Sequence, residues 1–253
     1  TDGSIIIPLN NDAIDEWDET VIINLSSPVN ATASGNQSIT VTINDGDDAA
    51  PTVRFTTTTL GSGTTETASA NATINFTDYI SLSGKSGKDL WFSYTTEGGG
   101  AGTADANQDY TPLTGTFKIV EDALVPSAAI ALDILADAVD ELDEQTVKIT
   151  IAVLGADQDG DNSSYEATDA GESAQSGSMV FTYVIDDDDD PPFAFFKNDD
   201  GEDATEVSSI LENSAGEIIT VALSAGSERD ITLYYSDAGT GTATSGSDYP
   251  AIT

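Results

Sequence analysis

Val147-Lys148-Ile149-Thr150-Ile151-Ala152-Val153 places an apolar side chain at every second position and a polar or small one between. That is the period of a half-buried β-strand, whose successive side chains point to opposite faces. Outward from this stretch the pattern recurs: Ile39, Val41 and Ile43 alternate with Thr40 and Thr42. Turn residues punctuate the runs at Gly98-Gly99-Gly100, at Ser83-Gly84-Lys85-Ser86-Gly87 and at Asp199-Asp200-Gly201. The longest interruption, Gly155 to Ser176, is rich in small and polar residues and reads as a loop between two strands. Valine, isoleucine and threonine fill the short runs, and helical periodicity is missing. The expected fold is all-β, an antiparallel immunoglobulin-like two-sheet sandwich.

The chain also repeats itself. Ile43-Asn44-Asp45-Gly46-Asp47-Asp48 runs to Pro51, and Val184-Ile185 followed by Asp186-Asp187-Asp188-Asp189-Asp190 runs to Pro191-Pro192. From Pro51 to Pro192 the offset is 192 − 51 = 141 residues, and Phe55 and Phe196 share it. Gly102-Thr103-Ala104 leads to Asp109-Tyr110 as Gly241-Thr242-Ala243 leads to Asp248-Tyr249. Asp12-Ala13-Ile14-Asp15-Glu16-Trp17-Asp18-Glu19 is matched by Asp137-Ala138-Val139-Asp140-Glu141-Leu142-Asp143-Glu144. Three motifs in one order predict tandem repeats: the C-terminal part of one unit in 1–50, a complete unit in 51–191 and the N-terminal part of a third in 192–253. The first residues already read as the middle of a strand region, which predicts a segment of a longer chain.

Charge narrows the function. Forty-five acidic residues against 7 basic ones give a formal net charge of −38. Such a polyanion is repelled by nucleic acid and by anionic lipid. No apolar run is long enough to span a bilayer, so direct membrane insertion of this segment is not expected. The chain has no cysteine and no histidine, which excludes a disulfide framework and argues against zinc, copper and iron–sulfur sites. Oxygen-only ligands suit calcium, a hard cation that takes about 6–8 of them. Neutralisation by bulk salt, as on a halophile's surface, is the competing account of the acidity.

Taken together these marks resemble the Calx-β domain, the calcium-binding sandwich named from sodium–calcium exchangers and found also in integrins and large bacterial surface proteins. The resemblance rests on Glu66, on Gly102-Thr103-Ala104 with Asp109-Tyr110, on Asp137, Glu141 and Glu144, and on Asp186-Asp187-Asp188. It implies that these elements converge at one sandwich end, with Glu66, Asp109, Asp137, Glu141, Glu144, Asp186, Asp187 and Asp188 as the metal site of the complete repeat. The family often has two acidic residues where this chain has Ala136-Asp137. Asp12, Glu16, Glu19, Asp45 and Asp47 are the matching residues of the first repeat, with Gly46 replacing the middle aspartate and Asn11 in the place of Ala136. Glu212 and Asp248 belong to the third repeat. Clustered carboxylates repel by about 1 kcal/mol per close pair even in water-like dielectric, and a bridging cation reverses that cost.

The implied function is a calcium-binding structural or adhesive module of a cell-surface or secreted protein. The aspartate run enters Pro191-Pro192 directly, so calcium there would stiffen the joint between repeats. The expected partners are calcium ions, neighbouring repeats and, through the sheet edges, other copies in a filament. The alternatives are a calcium-sensing module of a larger membrane protein and a halophilic acidic spacer. An enzyme is not expected. The acidic residues recur with the repeat, whereas an active site occurs once, and no nucleophile with its base, phosphate loop or cofactor fingerprint is present. Asp157-Gln158-Asp159-Gly160-Asp161 differs from an EF-hand loop in the place of its glycine and the lack of a closing glutamate, and reads as a solvated loop. Cadherins also set calcium between tandem sandwiches, but their repeats are shorter.

Overall fold

The structure is a computed structural model that describes residues 2–45, 48–60, 72–98, 103–142, 144–156, 175–177, 179–197, 209 and 211–252. In the first repeat region, β1 (Glu19–Asn24) pairs antiparallel with β2 (Ser38–Ile43). There follow β3 (Thr52–Phe55), β4 (Thr59–Leu60), β5 (Ala72–Asn75), a 3-10 turn at Phe76–Tyr79 and β6 (Ile80–Leu82). Next come β7 (Leu90–Glu97), β8 (Thr114–Ile119), β9 (Ala131–Ile134) and β10 (Val139–Asp140). The strands β11 (Gln145–Ala156), β12 (Gln175–Ser176) and β13 (Val180–Ile185) complete the central sandwich. Beyond it lie β14 (Ala194–Lys197), β15 (Thr220–Leu223) and β16 (Gly226–Ser227).

Alternation becomes burial along β11. Val147, Ile149 and Ile151 are buried, while Lys148 and Ala152 are exposed. The register slips between Val153 and Gly155, where Gly155 takes φ +135°, a conformation that suits glycine and makes a bulge. The expected loop therefore starts later and ends earlier, because Gly155 and Ala156 still belong to β11 and Gln175–Ser176 form β12. One sheet has the order β4-β13-β11-β7-β8 and the facing one β12-β3-β6, beside the β5-β9 pair.

The long ladders are antiparallel, as expected. The two-residue pairings β4 with β13 and β12 with β3 run parallel, which the sequence reading did not foresee. Both sit at a sheet edge, where a passing segment can pair without a crossover helix.

The core lies between the two sheets. Val53, Phe55, Ile80 and Leu82 come from one side and Phe92, Val147, Ile149 and Phe181 from the other, all at most 5% exposed. The Phe181 ring meets Phe55 at 5.4 Å and Tyr79 at 5.3 Å, binding the sheets where burial is worth most.

Gly98 connects this core to the acidic end. A Cβ there would collide with the Ala104 carbonyl oxygen and lie 2.8 Å from the Tyr110 hydroxyl. Tyr110 is fully buried and follows Asp109, so neither neighbour can yield freely. Gly98→Ala should cost about 1–3 kcal/mol, the usual penalty of overpacking. A urea midpoint equal to that of the native chain would refute this.

Candidate metal centre

Asp109 sits in a tight turn that its own carboxylate closes. Its Oδ2 accepts from the Asp105 backbone N–H, and its own N–H donates to the Asp105 carbonyl at 3.0 Å. The third repeat builds the same turn, with Asp248 accepting from Thr244 N–H at 2.7 Å and donating to the Thr244 carbonyl at 2.9 Å. The position that needs a left-handed backbone is Asn107 in one turn (φ +67°) and Gly246 in the other (φ +86°), residue types that tolerate it.

Asp137 makes a second turn, accepting from Val139 N–H at 2.8 Å, and Asp12 does the same with Ile14 N–H at 2.9 Å. Those turns bring Glu141 and Glu16 under the aspartate runs. Glu141 N–H donates to Asp187 Oδ2 at 3.2 Å, and Glu16 N–H donates to Asp45 Oδ2 at 2.7 Å. Asp45 therefore holds the place of Asp187, which shifts by one residue the register in which Gly46 stood for the middle aspartate. The strand fixes the register: Ile43 ends β2 as Ile185 ends β13, and the carboxylate used is two residues on in both.

Asp109 is 1% exposed and Glu141 3%. The Glu141 side chain stands within hydrogen-bonding reach of the Asp109 carboxyl. When both are ionised neither has a proton to give, and Asp109 Oδ1 is buried without a donor. Burial pushes the Asp109 carboxyl above the usual carboxylate range; the Asp105 N–H and the Glu141 side chain draw it back, while the charges of Asp105 and Asp137 push it further up. Burial, then the charges of Asp187, Asp188, Asp137 and Asp190, raise Asp189 as well. Asp137 thus acts on both Asp109 and the aspartate run, so these elements lie at one end of the sandwich.

In the first repeat an open cleft of about 540 Å³ is lined by Asn11, Asp12, Glu16, Glu19, Asp45 and Asp48. Burial raises Glu16 first, followed by the charges of Asp12, Glu19, Asp45 and Asp122. The four described candidates of that repeat share one cavity.

Other expected residues are placed differently. Glu144 is exposed, with its backbone at φ +63°, and Glu212 is exposed too. Glu66, Asp47 and the 157–161 stretch lie outside the described residues. Among the described residues, no three carboxylates stand close enough together to form a ready-made ion cage. The donor chemistry suits a hard cation, and Asp109 Oδ1, buried without a donor, is an oxygen that such an ion would satisfy.

Sequence reasoning missed four residues. Asp105 closes the Asp109 turn, and Asp18 Oδ1 accepts from Asp45 N–H at 3.1 Å. Glu228 and Asp122 act on the preceding repeat. Glu228 is raised by burial and by Asp109, Asp105 and Asp137, and Asp122 is among the charges on Glu16.

The family model of the Calx-beta domain matches residues 1–47, 47–176 and 187–253. Among solved structures, the chain is similar to the apo-form Calx CBD1 domain, with 15% identity and a TM-score of 0.38, over 55% of this chain and 99% of that one. The Calx CBD2 domain gives 17% identity and a TM-score of 0.38, over 54% and 86%. CBD12 from CALX1.2 gives 14% and 0.36, over 58% of this chain and half of that one. No curated protein matches.

Proposed function

The chain belongs to the Calx-beta domain family, and from that premise we propose that it is a calcium-binding structural module of a cell-surface or secreted protein, without catalytic activity. In this reading residues 1–50, 51–191 and 192–253 are parts of successive repeats whose joints calcium stiffens. The observation that carries it is the Asp109–Glu141 pair, two buried carboxylates in reach of each other with one oxygen left without a donor. A protein that kept this pair for stability alone would be better served by an uncharged one.

Asp109, Glu141, Asp137 and Asp187 hold the ion of the complete repeat, with Glu66, Glu144, Asp186 and Asp188 available to complete its shell. Asp12, Glu16, Glu19 and Asp45, with Asp47, do so in the first repeat, and Glu212 and Asp248 are the matching residues of the third. Bound calcium supplies positive charge and oxygen coordination where the chain has only anions. The side chains' part is positioning. The Asp109 and Asp137 turns fix two carboxylates on backbone N–H groups, and the Glu141 N–H fixes Asp187. The array then serves as a stalk or filament segment.

Small-angle X-ray scattering of the full chain tests the stiffening. At matched ionic strength, millimolar calcium should give a longer, narrower distribution of interatomic distances than EDTA. Superimposable profiles would refute it.

A further inference from the structure

Lysine and arginine are scarce here, 7 in 253 residues, yet two of them occupy the same place in two joints. Leu82-Ser83-Gly84-Lys85-Ser86-Gly87-Lys88-Asp89-Leu90 returns as Leu223-Ser224-Ala225-Gly226-Ser227-Glu228-Arg229-Asp230-Ile231, at the offset 227 − 86 = 141. In both copies this element leaves its own repeat and docks on the preceding one.

At the first joint, Asp15 forms a parallel bridge with Ser86. Gly87 N–H donates to the Asp15 carbonyl at 2.9 Å, and the Ser86 hydroxyl reaches that carbonyl at 3.2 Å. Lys88 Nζ lies 2.7 Å from Asp15 Oδ1, the two side chains being 2% and 3% exposed. The ammonium also stands 4.9 Å from the centre of the Trp17 ring.

The second joint repeats these contacts. The strand β10, ending at Asp140, pairs parallel with β16. Glu228 N–H donates to the Asp140 carbonyl at 3.0 Å, and the Ser227 hydroxyl to Asp140 Oδ2 at 2.6 Å. Arg229 Nε lies 3.3 Å from Asp140 Oδ1, and its Nη2 donates to the Glu141 carbonyl. In both joints the cation's own N–H donates to the serine hydroxyl, at 3.1 Å. Asp15 and Asp140 match through the acidic motif, at the offset 140 − 15 = 125.

We propose that these elements are a latch between repeats: a Ser-x-Lys/Arg prong on each repeat enters a socket built on a buried aspartate of the repeat before it. The complete repeat carries both halves, the Ser86/Lys88 prong and the Asp140 socket. The partner this surface accepts is another repeat with a serine and a cation at that spacing. A buried carboxylate without its cation is strongly unfavourable, so the socket selects a charged prong and fixes its register. No prong residue is itself among the calcium ligands named above, but Arg229 Nη2 also stands 3.8 Å from Asp187 Oδ2, so the latch borders the ion site. The latch sets where the next repeat sits, and calcium limits how far it swings.

The chain has no cysteine, so nitroxide pairs at Lys148→Cys and Thr220→Cys can report the second joint by electron–electron distance measurement. Both positions are exposed. In the full chain, Arg229→Ala should widen the distance distribution at least about twofold, since domains joined by a small polar contact move relative to each other by default. It should do so in EDTA, and less in calcium, which limits the swing, while Arg229→Lys, the residue of the first joint, keeps it narrow. The Arg229 side chain is 39% exposed, so its removal leaves the core intact, and an unchanged far-ultraviolet circular dichroism melt checks that. An Arg229→Ala distribution that overlays the native one in both conditions overturns the latch. If the native chain fails to bind calcium, the proposed function falls while the EDTA comparison still decides this one.

Discussion

Replacing EDTA by millimolar calcium should raise the thermal midpoint of the full chain by roughly 10–20 °C. An ion present at a thousandfold excess over its dissociation constant adds about 4 kcal/mol to the native state. Each kcal/mol is worth roughly 2–8 °C for domains of 60–250 residues. The native state alone assembles the site, because the Asp109 turn, the Asp137 turn and the Glu141 N–H contact come from different parts of the chain. Matched sodium chloride should give only a small part of the rise, since screening acts weakly on buried pairs. Calcium and sodium acting equally would make the acidity a halophile's surface and remove the metal site.

The second large effect has opposite signs in two solutions. Asp109→Asn keeps an oxygen for the Asp105 N–H and offers an amide donor to Glu141. In EDTA the variant should melt at or above the native chain, because a charge that is 1% exposed and beside another carboxyl has been removed. The sign follows from the raised carboxyl. The charged form is disfavoured in the folded state, so the contribution of Asp109 to stability is present at low pH and lost as pH rises through its elevated pKa. Asparagine removes that loss. In calcium the order reverses, with affinity falling by at least about 10–100-fold, the loss known for mere outer-shell partners of a metal. A calorimetric titration of both proteins reads it. A variant that is less stable in EDTA yet binds calcium normally would make Asp109 a structural carboxylate.

Much of this was legible in the sequence because its signals are local. The alternation from Val147 to Ile151 is a direct image of one buried face, and the recurrence of the motifs in one order marks the repeat. Asp109, Asp137 and Glu141 stood out as candidates because each sits in a recurring motif, and the turns of Asp109 and Asp137 need only nearby backbone. The contacts between repeats were missed because they join residues 71 to 88 positions apart. Ser83 to Gly87 looked like turn punctuation, and by composition it is. The signal that would have found Lys88 was the return of a rare cation at the 141-residue offset, visible only when the basic residues are compared. Glu228 left no such mark, since Gly87 stands in its place in the other copy.

The parallel pairing of β10 with β16 gives the array a direction. Socket and prong are different residues of one repeat, so the contact is heterologous rather than the self-complementary contact of a two-fold dimer. Such a contact repeated along one chain makes an open array whose length is set by the number of duplications. A repeat inserted in frame meets a socket before it and presents one after it. The direction of the whole is thus written in the serine, the cation and the aspartate of a single joint.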